Sequence, residues 1–261
     1  MEEITYLGLL EDDALEVDVG ALQIAALDHP GVDLDPYLGL LATLAERLAD
    51  IGHGARTAAD RVAALREVFA DEHRFTGDSD TYEDAANADM IRVMDRRRGL
   101  PISLAILYVA AARRVDWPGE ILNTPGHVLI RIGASPDALI VDPFDGGAVV
   151  GLDHPALFGA ASLKARALAM SNRAALVRLL ANQAGRADAA GDAARALEVY
   201  RRMTVVSPAH GGGWWERARL ELAAGDPEAA RASLSAMLEV TRDPSLRQRV
   251  VAALGSLAAS R

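Results

Sequence analysis

Residues 95–147 read DRRRGLPISLAILYVAAARRVDWPGEILNTPGHVLIRIGASPDALIVDPFDGG, and this stretch decides the fold. Arg96-Arg97-Arg98 fit the last turn of a helix running from about Glu83, where cations complement the dipole, and Gly99 suits a left-handed cap. Leu100-Pro101 then restarts a helix, with proline at its first position, through Leu104, Ile106, Leu107 and Val109 to about Arg114. Trp117-Pro118-Gly119 ends it. Beyond that the period changes: Glu120 to Asn123, His127 to Ile132 and Ala138 to Asp142 are short β-type runs, separated by Thr124-Pro125-Gly126 and Gly133-Ala134-Ser135-Pro136. A long apolar helix followed by a small antiparallel sheet predicts an α+β fold.

A hairpin centred between Ala134 and Ser135 pairs His127 with Asp142 across the strands. An aspartate there can hold the imidazole by accepting from Nδ1–H, the orienting half of a catalytic triad. The same two residues also make sense as a polar pair at a sheet edge that satisfies itself.

Working outward, the N-terminal hundred residues are helical. Val17 to Leu27 is one amphipathic run, and Asp35-Pro36 opens a second as N-cap and first-turn proline, with Gly52 ending it. Thr57 to His73 is a third. Phe75 to Tyr82 (FTGDSDTY) reads as a polar loop. Asp142-Pro143-Phe144-Asp145-Gly146-Gly147 is a turn-rich exit, with helix expected again after about Ala156. From Ala174 on the chain is Ala-rich helix with self-similarity at a period of 34: Gly191-Asp192 recurs as Gly225-Asp226, Ala196 as Ala230 and Met203 as Met237. That period, with small residues at helix crossings, is the signature of tetratricopeptide repeats. The expected domains are 1–170 and 171–261.

Composition sets the function classes. Hydrophobic residues make up 51% and charged residues 25%, which excludes disordered and fibrous readings. No apolar run reaches the ~18 residues of a membrane span, and Met1-Glu2-Glu3 is acidic where a signal peptide is basic, so a cytoplasmic location is expected. The net charge of −10 opposes binding to nucleic acid or anionic lipid. With no cysteine there is no thiolate metal site and no thiol nucleophile, and none of the six histidines stands in an HxxxH or HExxH spacing. No metal or cofactor is expected.

The segments Arg96 to Leu104, Pro125 to Arg131 and Asp142 to Gly147 resemble those of the bacterial SirB-type proteins, as do Ala25 to Pro30 and Asp35 to Leu38. The resemblance covers nearly the whole chain in order. It implies a helical N-terminal subdomain, a papain/transglutaminase-like core with a small antiparallel sheet, and C-terminal tetratricopeptide-like helices. Enzymes of this class place a cysteine at a helix N-terminus, a histidine on one strand and an aspartate on the next. Here Gly99-Leu100-Pro101-Ile102-Ser103-Leu104-Ala105 puts Pro101 in the cysteine column, while His127 and Asp142 fall on the other two positions.

Ser103 lies two residues beyond that column and therefore about 200° round the helix. It reads as a first-turn serine bonded to backbone rather than a substitute nucleophile, and it is kept as a binding candidate. Arg96 and Arg97 either cap a solvated helix end or meet an acidic partner, and Asn87 either braces a local loop or lines the pocket. Trp214 fits the core position of a repeat, and Trp215, about 100° away, is left open to a partner. The expected function is a non-catalytic protein- or peptide-binding adaptor, using the cleft and the repeat surface. The alternative is a hydrolase or acyl-transferase working through His127, Asp142 and a non-cysteine nucleophile.

Overall fold

The computed structural model describes residues 2–124, 126–151 and 169–259. The fold is α+β, and the chain forms two compact units. One comprises residues 11–179. The other joins residues 1–10 to 180–261. The helix expected after Ala156 lies outside the described residues. Among the described residues no helix is long and apolar enough to cross a membrane.

In the unit of residues 11–179, three helices come first: α1 (Val17–Ala26), α2 (Asp35–Ile51) and α3 (Ala58–Arg66), the last continuing into π-helical turns at Glu67–Glu72. Asp35 is the first residue of α2 rather than its cap, and the carboxylate of Asp33 accepts its N–H at 2.9 Å. Thr57 starts α3 with a reciprocal capping box to Asp60.

Next come β1 (Thr76–Gly77), a 3-10 turn (Ala85–Ala88), α4 (Met90–Arg96) and β2 (Arg98–Gly99). The helix expected from Glu83 to Arg98 is therefore shorter. Asp84 accepts from Ala86 N and Asp89 from Arg92 N, so each aspartate begins a separate turn. Arg97, not Gly99, takes the left-handed cap, at φ 58°. Gly99 instead pairs in parallel with Gly77, so the expected polar loop carries a strand, and Phe75 at its start is fully buried.

Helix α5 (Pro101–Arg114) is the centre of the unit. Every residue from Pro101 to Ala112 is buried, as befits a helix apolar all round. It packs against β3 (Gly119–Thr124) and β4 (His127–Ile132) on one side and α1 and α2 on others. With β5 (Leu139–Asp142) and β6 (Ala148–Val149) these strands form an antiparallel sheet in the order β3-β4-β5-β6.

The register of β4 on β5 differs by two residues from expectation: Ile130 faces Val141, Arg131 faces Ile140 and Ile132 faces Leu139. The turn explains the shift. Gly133 N–H extends the pairing of β4 with β3 to Pro118 O, while Asp137 N–H closes on Ala134 O, which centres the turn between Ser135 and Pro136. Side chains alternate with period two, so a slip of two keeps every residue on its face.

In the second unit the 34-residue period is structural. Helices α6 (Asn172–Ala189) and α7 (Ala193–Val206) are followed by α8 (Gly211–Ala223), α9 (Pro227–Val240) and α10 (Pro244–Ala259). The division between units falls within α6. α7 maps onto α9 end for end, 193 to 227 and 206 to 240. Gly191 and Gly225 both turn the chain at positive φ, 76° and 79°, and Asp192 and Asp226 both cap the helix that follows by accepting the N–H three residues on.

Candidate functional site

His127 opens β4 and Asp142 closes β5. Extending the observed register puts Phe144 opposite His127, so Asp142 is its diagonal neighbour, within reach of a long side chain. The two do meet: Nε2 of His127 lies 2.8 Å from Oδ2 of Asp142. The bond runs through Nε2 rather than the expected Nδ1. The other carboxylate oxygen accepts the N–H of Phe144 at 2.9 Å, so Asp142 is held by its own turn while it holds the imidazole. Asp142 is buried and the His127 side chain is 22% exposed.

Phe144 gathers the surrounding elements. Its ring stands edge-on to His127 at 6.0 Å between centroids and edge-on to Tyr82 at 5.9 Å. Its carbonyl accepts from Gly77 N at 2.9 Å, and its ring covers Gly77 so closely that a Cβ there would lie 2.4 Å from ring carbons. Only glycine allows that approach. On the other side of the loop, Asp78 N–H donates to Gly99 O at 3.3 Å, just before α5 starts. The segment from Gly77 to Tyr82 thus ties the start of the Pro101 helix to the turn that carries Asp142.

A buried polar network fixes that segment. The Asp78 carboxylate, 1% exposed, accepts from Thr81 N at 2.9 Å, Thr81 Oγ1 at 2.8 Å and Arg96 Nη2 at 2.6 Å. Burial alone would raise its pKa. The Thr81 and Arg96 bonds outweigh burial and hold it down at about 2, from an ordinary 3.8.

Arg96 also donates to Asn87 Oδ1 at 3.1 Å, while Asn87 Nδ2 donates to Thr81 O at 2.6 Å. The Asn87 carbonyl accepts from Leu100 N and from Ser103 Oγ at 2.9 Å. Asn87, Arg96 and Ser103 are therefore brought together, with Ser103 fully buried and its hydroxyl committed to backbone. Arg97 turns inward instead: its guanidinium sits 4.8 Å over the Phe75 ring, and burial pushes its pKa down. Pro101 is buried in the first turn of α5.

Trp215 belongs to the other unit. It is half-buried against Ala218, Ala230 and Leu234, with Arg249 at 5.1 Å over its ring. Trp214 is equally half-buried, donates Nε1 to Pro208 O at 2.8 Å and stacks with Arg217.

Sequence reasoning missed Asp78, Thr81, Gly77 and Phe144. Their signals were a glycine-aspartate step in a loop 18 residues ahead of an arginine and, for Phe144, a place in the Asp142 to Gly147 segment. Among the described residues no group of three or more His, Asp or Glu is placed to hold a metal ion.

Residues 35–181 match the sequence model of the family described as "Transglutaminase-like superfamily" (Transglut_core2). The chain is similar to a UPF0162 protein of Xylella fastidiosa, 31% identical over 141 residues, which cover 54% of this chain and 50% of that protein. It is also similar to a UPF0162 protein of Pseudomonas aeruginosa, 28% identical over 244 residues, 91% of this chain and 89% of that one. Human F-box only protein 21 is 37% identical over 82 residues, 31% of this chain and 13% of that protein. The match thus spans about half the length of the Xylella relative and nearly all of the Pseudomonas one.

Proposed function

The chain belongs to the transglutaminase-like superfamily, and from that premise we propose that it uses the fold as a binding platform. In this reading it is a SirB-type cytoplasmic protein without catalytic activity. Its cleft beside His127 and Asp142, and its 34-residue repeats of tetratricopeptide type, take a protein or peptide partner. The observation that carries the reading is Pro101. It opens α5, the resemblance sets it in the column where enzymes of this class carry cysteine, and the 261 residues contain no cysteine. A histidine–aspartate pair without a thiol can orient and bind, but it cannot form the thioester intermediate of this class. Ser103 does not replace the thiol, because its hydroxyl is buried against Asn87 O.

Turnover is the direct test. Glutamine-donor peptides and activated esters are expected to give no burst; a burst that His127→Ala abolishes overturns the proposal in favour of a hydrolase or acyl-transferase. The alignment on which it rests is tested by Pro101→Cys, which puts a single thiol at a helix N-terminus. Its thiol pKa is expected below the ordinary ~8.5. Alkylation by iodoacetamide below pH 8 should be faster in this variant than in Pro101→Cys/His127→Ala, and equal rates would show that His127 does not face position 101.

A further inference from the structure

Three rings follow one another beside the His127–Asp142 pair. Tyr82, 39% exposed, meets Phe144 at an interplanar angle of 70°, and Phe144 meets His127 at 83°. Rings set this way form corners, each offering a π face beside the edge of its neighbour. The arrangement is pre-formed. Phe144 is seated on the bare Cα of Gly77, and the segment leading to Tyr82 is anchored through Asp78.

The electrostatics name the sign of the ligand. Residues 11–179 hold 26 Asp+Glu against 16 Lys+Arg, so this unit carries the chain's negative charge. Glu83, Asp84 and Asp145 are exposed next to the rings in sequence. The nearby arginines are already engaged, Arg96 by Asp78 and Arg98 by Asp80. An acidic field steers cations, and aromatic faces hold them best when the cation is planar and weakly hydrated.

We propose that Tyr82, Phe144 and the His127 ring form a subsite for the guanidinium of an arginine in a partner peptide, a reading that rests on the cleft being a binding site. The guanidinium lies against the exposed Tyr82 ring and the half-buried Phe144 ring, drawn there by the net negative charge of this unit.

The test uses the full chain with 13C-labelled tyrosine and histidine rings. It is titrated with acetyl-Gly-Arg-Gly-amide and with the same peptide carrying citrulline, lysine or glutamate in place of arginine. The arginine peptide is expected to shift the Tyr82 and His127 signals, and to bind several-fold more tightly than the citrulline peptide, which has the same shape without charge. Tyr82→Ala is expected to weaken it about threefold, Tyr82→Phe to leave it unchanged, and added salt to weaken it. Equal binding of arginine and citrulline peptides, of arginine and lysine peptides, or of wild type and Tyr82→Ala overturns the subsite. If peptides shift His127 without preferring arginine, the subsite falls and the cleft reading stands. If none shifts His127, both fall.

Discussion

His29 meets Asp89 through Nε2 and Oδ2 at 2.7 Å, and His127 meets Asp142 through the same two atoms at 2.8 Å. In both pairs the remaining carboxylate oxygen accepts a backbone N–H a few residues on, from Arg92 in one and Phe144 in the other. The histidine side chains are 20% and 22% exposed. By its internal geometry neither pair can be told from the other.

Their surroundings differ. Asp89 is the N-cap of α4, and the far end of that helix carries Arg96 into the Asp78 network, while Tyr37 adds a bond to Asp95 between them. His29–Asp89 is therefore a strut that pins a helix. His127–Asp142 lies among aromatic rings, beside a loop that reaches the start of α5. A histidine–aspartate pair becomes a candidate site through what its ring touches, not through its own bond.

The largest expected effect falls on the Asp78 network, which the helix capped by Asp89 enters through Arg96. Asp78→Ala leaves the Arg96 guanidinium half-buried without its carboxylate and should cost about 3 kcal/mol in urea unfolding. Acid should expose the same tie. Because the folded Asp78 carboxyl titrates below its unfolded value, its contribution is fully present above about pH 4 and is lost as pH falls toward 2. It amounts to about 2 kcal/mol, and Asp78→Asn should flatten that part of the stability profile.

Asp89→Ala removes a helix cap and the His29 bond together, with an expected loss of 1–2 kcal/mol, roughly, by the same unfolding measurement. His127→Ala should lower stability by less than about 1 kcal/mol, since a partly exposed pair contributes little. Its mark should be on the Phe144 and Tyr82 ring signals. If His127→Ala destabilises as much as Asp89→Ala, the two pairs are both struts and the comparison collapses.

What the sequence disclosed follows from how local each feature is. The repeat was legible because its glycine turns and aspartate caps are short-range devices, reproduced 34 residues apart at Gly191-Asp192 and Gly225-Asp226. Helix α5 was legible from Pro101 and an apolar run interrupted by Ser103. The meeting of His127 and Asp142 was foreseen with the wrong register and the wrong ring nitrogen. Parity rescued the faces, while the turn centre was set by Asp137 N–H closing on Ala134 O, a bond that strand periodicity does not announce.

The Asp78–Arg96–Asn87 network was hidden because its members are polar residues in apparently ordinary loop and cap positions. Nothing local says that a loop aspartate is 1% exposed. Arg97 was misread for a related reason. Glycine is the usual left-handed residue, but Gly99 was already needed for close packing against Val93.

The seat of Phe144 on Gly77 means that these two positions share one volume. A methyl group at 77 has nowhere to go while a phenyl ring stands at 144, yet a smaller residue at 144 opens the space that the methyl would fill. Mutational paths through this pair therefore have a direction. A lineage that shrinks 144 first can later enlarge 77, whereas one that enlarges 77 first must pass through a displaced ring and a disturbed His127. Divergence at these two positions should accordingly appear as paired exchanges, large with small, and single gains of volume at 77 should be rare.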